Sequence, residues 1–298
     1  MSAAVSPVKD RPYGVALVCR VWDVPRSTFY AQAPREAVKR TKPKRRGPKP
    51  KIADEALLAA IQGDLKRSPF VGEGHRKVHA RLRVLDQIRV SRTRVLRVMR
   101  ENNLLSPHRS RQGEGNAHDG TIITDLPNVM WGADGSKVFT LDDGWVWVFS
   151  TVEHWNAECV GWLVCKQGTR FNALEAVRMG VEKHFGAVNG DAARGLSLRM
   201  DHGSQYISDH FREQLRYWGV TPSWAFVEQP QTNGVVERYN RTLKEQVIYG
   251  RIFRNVEEVR AAVKAFVERY NEEWLIEKMG YRSPLQARRE HAVDSKAA

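Results

Sequence analysis

The spacing of apolar residues near the start of the chain predicts two short helices. The positions that recur at helical intervals are Val15, Val18, Cys19 and Trp22. Residues 23–25 interrupt this pattern, and a second helical stretch begins at Arg26. Two short helices around a tight turn are typical of a helix-turn-helix, which we assign to residues 1–38.

Residues 52–108 predict a second helix-turn-helix domain. A helical pattern covers residues 55–67 and a Gly-Glu-Gly turn follows it. In the next predicted helix, Val78, Leu82 and Leu85 share one face, which we expect to be buried.

A third helix is predicted at Arg92–Glu101, with Ser91 as a suitable N-cap. Its buried side is expected to consist of Val95, Leu96 and Met99. Its other side has three arginines within an arc of about 120°. A basic arc on the third helix suits a recognition helix that enters the major groove, and an ordinary surface helix is the alternative. The three arginines are Arg94, Arg97 and Arg100.

After residue 119 the pattern changes to strand-like runs rich in Val, Trp and Phe. Runs at 129–140, 145–152 and 159–165 predict an antiparallel meander, with Asp-Asp-Gly at 142–144 as a hairpin turn. Helices and strands then alternate. In chain order they are a helix at 171–185, a strand at 196–200, a helix at 209–218, a strand at 221–226, a helix containing Glu237, and a final amphipathic helix with Val256, Val259, Val263, Phe266 and Tyr270 in register.

This order predicts an α/β fold, a mixed five-stranded sheet with flanking helices, preceded by small all-α domains. It resembles the ribonuclease-H-like plan, which gathers carboxylates from the first strand, the end of the fourth strand and the helix after the fifth. The expected domains are a helix-turn-helix (1–38), a basic linker (39–51), a second helix-turn-helix (52–108), a linker (109–120), the ribonuclease-H-like core (121–275) and a C-terminal tail (276–298).

The 298-residue chain has a formal net charge of +14, and the positive excess lies in its N-terminal third. Residues 1–112 contain 26 Lys and Arg against 9 Asp and Glu, whereas residues 113–298 contain 22 against 25. A concentrated basic region indicates a polyanionic partner, most simply the phosphate backbone of nucleic acid. No apolar run is long enough to span a bilayer, so we expect a cytoplasmic protein without a membrane partner.

Basic residues are densest in the linker at 39–51, where eight of thirteen residues are Lys or Arg. Such a segment suits tracking of a DNA backbone or minor groove, although it is also compatible with simple solvation. A solvated surface position is likewise the alternative for Asn240, Arg241 and Lys244 beside Glu237. The residues expected to contact nucleic acid are Arg26, Ser27, Thr28, Tyr30, Lys44, Arg45, Arg46, Arg94, Arg97, Arg100, Asn240, Arg241 and Lys244.

Three acidic residues are candidates for a metal-dependent active site. Asp134 and Asp201 belong to otherwise hydrophobic strands, where an ionised carboxylate is unfavourable unless it is paired or metal-bound. Cleaving or joining a phosphodiester requires activation of the attacking oxygen and stabilisation of the leaving oxygen, and two Mg²⁺ ions about 4 Å apart do both. Mg²⁺ prefers oxygen ligands. We therefore predict Asp134, Asp201 and Glu237 as catalytic ligands of two Mg²⁺ ions, which Mn²⁺ can replace.

The motifs around these acids carry a family resemblance. Asp201-His-Gly-Ser-Gln-Tyr, followed after 35 intervening residues by Glu237 in Asn-Gly-Val-Val-Glu-Arg-Tyr-Asn-Arg-Thr-Leu-Lys, resembles the D,D(35)E core of retroviral integrases and many bacterial insertion-sequence transposases. Trp-Gly-Ala-Asp-Gly-Ser at 131–136 and Gly-Tyr-Arg-Ser-Pro at 280–284 are similar to segments of the OrfB-type transposase subunit. The resemblance covers most of the chain.

The resemblance implies a DNA transposase that binds the terminal inverted repeats of an insertion sequence and catalyses metal-dependent 3′-end cleavage and strand transfer. It implies double-stranded DNA as a partner, both as transposon ends and as target. At least a dimer is expected because two ends must be joined, and an OrfA-type segment is a further candidate partner. We expect a bacterial, nucleoid-associated location.

The sequence also departs from the family pattern. The segment after the second strand usually reads Asp-x-x-Ser-Arg, but here it is Glu153-His154-Trp155-Asn156-Ala157, so no role beyond packing is expected for it. No His/His/Cys/Cys zinc module precedes the core, which favours the bacterial branch over the retroviral one. Two other function classes stay open. They are a nuclease of the same fold that acts on RNA–DNA hybrids or junctions, and a DNA-binding regulator that has lost catalysis.

Overall fold

The structure is a computed structural model that describes residues 3–32, 51–106, 124–224 and 234–297. The chain divides into two compact units, Met1–Lys51 and Ile52–Ala298. The second helix-turn-helix and the sheet therefore belong to one unit, although they were predicted as separate domains. The predicted linker at 109–120 lies outside the described residues. The linker at 39–51 also lies outside them apart from Lys51, and so do its residues Lys44, Arg45 and Arg46.

The first unit contains the predicted helix pair, α1 (Gly14–Val21) and α2 (Arg26–Gln32). Asp23 adopts a left-handed conformation with φ of 51°, which reverses the chain between the helices. Cys19 is buried, but Trp22 is 61% exposed because α1 ends one residue before it. The helical repeat predicted to include Trp22 therefore ends one residue earlier, at Val21.

The second helix-turn-helix consists of α3 (Asp54–Arg67), α4 (His75–Val84) and α5 (Arg92–Glu101). The Ser91 side chain accepts a hydrogen bond from the Arg94 backbone N–H, so Ser91 is the N-cap of α5 as predicted. Leu85 is 62% exposed because α4 ends before it, and Val98 takes the buried position predicted for Leu96. The core of the domain is formed by Leu57, Ile61, Val78, Leu82, Val95, Val98 and Met99.

The sheet has five strands in the order β3-β2-β1-β4-β5. The first three strands pair antiparallel, whereas β4 pairs parallel with both β1 and β5. The fold is therefore the predicted ribonuclease-H-like mixed sheet. Residues 225 and 226, predicted to end β5, lie outside the described ranges. The strands are β1 (Met130–Thr140), β2 (Gly144–Glu153), β3 (Cys159–Cys165), β4 (Ser197–Met200) and β5 (Thr221–Trp224).

Helices cover both faces of this sheet. One hydrophobic cluster joins the sheet to α6, α7 and α8, and a second joins its other face to α9 and α10. Gly161 in β3 permits the close approach of α6, since a Cβ there would lie 1.9 Å from the Ala176 carbonyl oxygen. The helices are α6 (Arg170–Phe185), α7 (Ser204–Ile207), α8 (Asp209–Tyr217), α9 (Gly234–Leu243) and α10 (Val256–Glu273), and a π-helical turn, Lys244–Ile248, directly follows α9.

The C-terminal segment, predicted as a tail, is instead folded against the core. It contains a 3₁₀ turn (Glu277–Met279) and α11 (Pro284–Ala297). Arg288 of α11 donates to the carboxylates of Glu153, at 3.3 Å, and Glu158. Both carboxylates are fully buried, and Glu158 also pairs with Lys183 at 2.7 Å, so α11 supplies a cation for Glu153 and a second cation for Glu158.

Glu153 opens the segment that departs from the family pattern. Its carboxylate accepts hydrogen bonds from the backbone N–H groups of Asn128 and Trp155 at 2.7 and 3.0 Å, and from the Trp131 indole at 3.0 Å. These contacts join the ends of β1 and β2. The structure therefore gives this segment the packing role expected from the sequence.

In the described part of the chain, no helix is both long and apolar enough to cross a bilayer.

Replacing Arg288 by Met is expected to lower the free energy of unfolding by about 3 kcal/mol, because it removes the cation paired with buried Glu153 and leaves Glu158 with Lys183. Denaturant unfolding measures the change. The matched control is Arg289→Met, since the neighbouring Arg289 makes an exposed ion pair with Glu272 at 2.8 Å and its loss should cost less than about 1 kcal/mol. Equal losses in the two variants would contradict this prediction.

His154 is expected to make stability depend on acidity. Burial, together with the positive charges of Lys278 and Arg199, lowers the pKa of His154 from 6.5 to about 4. Between these values the unfolded chain binds a proton that the folded chain does not. Stability should therefore fall as the pH drops from 6.5 to 4, by up to about 3 kcal/mol from this group. In His154→Leu the slope of unfolding free energy against pH should flatten, whereas in the exposed control His210→Gln it should persist.

Candidate active site

Two of the predicted ligands, Asp134 and Asp201, are neighbours in the sheet. The parallel register of β1 and β4 pairs Gly132 with Arg199. Continuing this register by two residues sets Asp201, which directly follows β4, beside Asp134. Both side chains belong to the face opposite to buried Trp131, because alternate residues of a strand project to opposite faces.

Backbone N–H groups orient both carboxylates. Asp134 Oδ1 accepts from the Gly135 N–H at 2.7 Å, and Asp201 Oδ1 accepts from the Gly203 N–H at 3.0 Å. Asp134 is half-buried and Asp201 is exposed. The pair therefore has one partly buried carboxylate within the sheet and one carboxylate open to solvent.

Helix α9 packs beside this pair through its apolar face. Val236, Tyr239 and Leu243 are buried in the cluster that includes Val138 of β1. Glu237 lies in the first turn of α9 and is exposed. Since the helix packs on the face to which Asp134 projects, Glu237 lies on the same side of the sheet as the two aspartates.

Asn240 has a role that the sequence did not predict. It is only 4% exposed, and its Nδ2 donates to Asp134 Oδ2 at 2.7 Å. Contact of Asn240 with DNA stays a prediction; in this structure, burial on the core side of α9 directs its amide to the carboxylate. Its position three residues after Glu237 predicted that Asn240 lies near the acidic residues, but it did not predict the hydrogen bond to Asp134.

The carboxylates influence one another electrostatically. Burial raises the pKa of Asp134, the negative charge of Asp201 raises it further, and the hydrogen bond from Asn240 opposes the rise. Burial also raises the pKa of Glu237, and the charge of Asp134 adds to this effect. These mutual effects indicate that the three acids share one region of negative potential.

Two basic residues of the same helix segment lie within reach of this potential. The positive charge of Lys244 opposes the rise in the pKa of Asp134, and that of Arg241 opposes the rise in the pKa of Glu237. Arg241 is exposed and Lys244 is half-buried. Unlike Asn240, both remain open to a further anionic partner.

Comparison with known families agrees with this geometry. Two family models, each described as an integrase core domain, match residues 125–230 and 218–284, and an HTH-like domain model matches residues 53–112. Residues 125–284 are thus similar to integrase core domains, and residues 53–112 are similar to an HTH-like domain. These similarities connect the chain with DNA transposition or integration and support a polynucleotidyl transferase activity.

Relatives in Escherichia coli extend the similarity to almost the whole chain. "Transposase InsD for insertion element IS2A/D/F/H/I/K" is 28% identical over 295 residues, which are 95% of this chain and 94% of that protein. "Insertion element IS2A uncharacterized 48.2 kDa protein" is 28% identical over 302 residues, or 98% of this chain and 68% of that protein. The similarity therefore includes the region before the integrase core.

Solved structures show more distant similarity. A chain of the simian T-cell lymphotropic virus intasome in complex with PP2A regulatory subunit B56 gamma has a TM-score of 0.46 and 15% identity, covering 70% of this chain and 73% of that one. The HTLV-2 integrase catalytic core domain in complex with magnesium has a TM-score of 0.38 and 14% identity, covering 55% and 97%.

The integrase core presents carboxylate oxygens suited to a hard divalent cation. In the described ranges, no three His, Cys, Asp or Glu side chains are grouped so as to hold a metal ion, so Glu237 is not yet gathered with the aspartates. The donor chemistry still fits, because a bound cation would stabilise the ionised form of Asp134, which burial and the charge of Asp201 disfavour. Asp134 and Asp201 would hold the ion, with Glu237 as the additional ligand.

The HTH-like domain uses two of its predicted DNA-binding arginines internally. The guanidinium groups of Arg94 and Arg97 each contact the Asp54 carboxylate at 2.6 Å, which ties α5 to the start of α3. This differs from the predicted basic arc, because only Arg100 of the three is exposed. Other exposed arginines of the domain that have no ion pair within the described residues are Arg76, Arg83 and Arg89.

Replacing Asn240 by Leu is expected to weaken binding of Mn²⁺ about 10-fold, because Asp134 loses the donor that orients it and favours its ionised form. Electron paramagnetic resonance titration measures the affinity. Asn271→Leu is a matched control, since the buried Asn271 amide bonds both backbone groups of Cys159 at 2.9 Å, away from the carboxylates. The control should lose stability but keep its Mn²⁺ affinity. Unchanged Mn²⁺ binding in Asn240→Leu would refute the orienting role.

Proposed function

We propose that this chain is a DNA transposase that binds the terminal inverted repeats of an insertion sequence, cleaves its 3′ ends and transfers them to target DNA. The observation that carries the proposal is the adjacent pair Asp134 and Asp201. On the same side of the sheet, α9 presents Glu237 and Arg241, and the π-helical turn after it presents Lys244. An acidic pair flanked by cations suits a reaction at a phosphodiester.

The proposed catalytic ligands are Asp134, Asp201 and Glu237, acting with two Mg²⁺ ions. Bound metal ions supply activation of the attacking oxygen and stabilisation of the leaving oxygen. Asn240 and the Gly135 N–H hold the Asp134 carboxylate in a fixed orientation. Glu237 is exposed on the same side of the sheet, and its side chain is proposed to turn toward the aspartates when the ions bind. Lys244 and Arg241 hold the phosphates of the substrate strand.

The same arrangement serves hydrolysis and strand transfer. In hydrolysis, water attacks phosphorus and the bond to the 3′ oxygen breaks, leaving a 3′-hydroxyl. In transfer, that hydroxyl attacks a target phosphodiester, its proton is lost, and the target's own 3′ oxygen departs. Neither step requires a covalent bond to the protein, because the proposed carboxylates only position the metal ions.

DNA recognition is proposed for the N-terminal region. Arg26, Ser27, Thr28 and Tyr30 are exposed on α2 and remain candidates for DNA contact. In the HTH-like domain we propose Arg100 together with the exposed arginines Arg76, Arg83 and Arg89, in place of Arg94 and Arg97. The linker residues Lys44, Arg45 and Arg46 are proposed on charge alone. Because two transposon ends must be joined, the active form is proposed to contain at least two subunits, and an OrfA-type segment is a further proposed partner.

Replacing Asp201 by Asn is expected to abolish 3′-end cleavage and strand transfer while end binding stays within about twofold, because the variant removes a proposed metal ligand and none of the residues proposed to recognise the DNA ends. Oligonucleotide cleavage, strand-transfer and gel-shift assays with terminal-repeat DNA measure the three steps. Asp191→Asn is the matched control, since the exposed Asp191 pairs with Arg194 at 2.7 Å and its replacement should leave full activity.

Strand transfer retained by the Asp201→Asn variant would refute the proposal. Preferential cleavage of an RNA–DNA hybrid would indicate the nuclease alternative. Specific end binding without metal-dependent chemistry in the unmodified protein would indicate a regulator.

A further inference from the structure

The HTH-like domain meets the integrase core through residues 68–74, here named the docking loop. Its shape is fixed internally. Ser68 Oγ donates to Glu73 Oε2 at 2.6 Å, and Arg81 joins Glu73 to Asp64, with an Arg81–Asp64 distance of 2.8 Å. Gly72 turns the loop with φ of +64°, a conformation that favours glycine. The loop is therefore a preformed surface of the HTH-like domain.

Phe70 anchors this loop in the integrase core. It is 7% exposed and belongs to the hydrophobic cluster formed by the sheet, α9 and α10. Its ring packs edge-on against Trp274 with a centroid distance of 4.9 Å. The ammonium of Lys77 lies 3.8 Å from the centroid of the same indole and also donates to the Leu275 carbonyl oxygen. The HTH-like domain thus contributes a side chain to the core of the catalytic domain.

Gln246 fixes the direction of this contact. Its Oε1 accepts from the Val71 N–H at 2.8 Å, and its Nε2 donates to the Val71 carbonyl oxygen at 2.7 Å. Both polar atoms of the amide thus bond the backbone of one residue of the docking loop. Apolar packing by Phe70 alone is non-directional, whereas two hydrogen bonds to one residue specify an orientation.

Gln246 is also tied to the catalytic helix. It lies in the π-helical turn Lys244–Ile248, which continues α9 without a break, two residues after Lys244. On the same helix, Asn240 holds Asp134. π-Helical turns inside helices are frequent at functional sites. One continuous helical segment therefore contacts both the HTH-like domain and a catalytic carboxylate.

We infer that Gln246 is a positioning residue that holds the HTH-like domain in register with the catalytic helix and thereby sets which phosphodiester of the bound DNA is cut. The inference rests on the proposed function. Adjacent phosphates of one strand are separated by about 3.4 Å along the duplex axis. A shift of the HTH-like domain by that distance moves the cut by one nucleotide, so a short directional contact is enough to define its position.

The test compares the unmodified protein with Gln246→Met, which keeps the side-chain length and removes both hydrogen bonds. Cleavage of terminal-repeat DNA is mapped at single-nucleotide resolution. The variant is expected to spread its cuts over neighbouring bonds and to cut the correct bond about 10-fold more slowly, with end binding unchanged. Gln286→Met is the matched control, because the exposed Gln286 amide donates a hydrogen bond to Glu290 of the same helix, α11, at 3.0 Å. The position of the cut made by this variant should not change.

Amide hydrogen exchange of the docking loop provides a readout that needs no activity. Exchange at Val71 should be about 10-fold faster in Gln246→Met than in the unmodified protein and in Gln286→Met. Unchanged exchange, or cuts by Gln246→Met at the same single bond and the same rate as the unmodified protein, would overturn the inference. If the unmodified protein cuts no end DNA, the proposed function fails, while hydrogen exchange still decides whether Gln246 holds the docking loop.

Discussion

Two carboxylates at adjacent positions of parallel strands repel each other, and the arrangement around Asp134 and Asp201 follows from this constraint. The β1–β4 register leaves them side by side on two inner strands of the sheet. Burial strengthens the repulsion by removing solvent from Asp134. A donated amide proton, nearby basic side chains and a divalent cation each stabilise the ionised pair, and the structure supplies the first two.

Helix α9 supplies them because of how it is docked. Its apolar stripe of Val236, Tyr239 and Leu243 is buried against the sheet, which fixes the rotation of the helix. That rotation leaves Asn240 at the boundary between core and site, where it meets Asp134, and leaves Glu237 and Arg241 exposed. One packing interface therefore separates residues that orient the site from residues that face the substrate.

The same helix connects the site to the HTH-like domain. The π-helical turn after α9 presents Gln246 to the docking loop, while Phe70 from that loop completes the core cluster beneath the helix. Sharing a hydrophobic cluster makes relative movement of the two parts unfavourable. The HTH-like domain and the integrase core thus belong to one compact unit, although a basic arc and an acidic strand pattern suggest two independent domains in the sequence.

The sequence by itself determined the elements and their order, because periodicities of 3.6 and 2 residues and the capping residue Ser91 are local signals. It also singled out Asp134 and Asp201, because acids are unusual in hydrophobic strands. Glu237 was singled out by its spacing from Asp201 within the motif. It failed where long-range contacts decide. Arg94 and Arg97 look available on a helical wheel, but Asp54, about forty residues earlier, occupies them. The partners of Asn240, Gln246 and Arg288 were decided only by tertiary structure, because a hydrogen-bond partner more than a hundred residues away leaves no periodic trace in the chain.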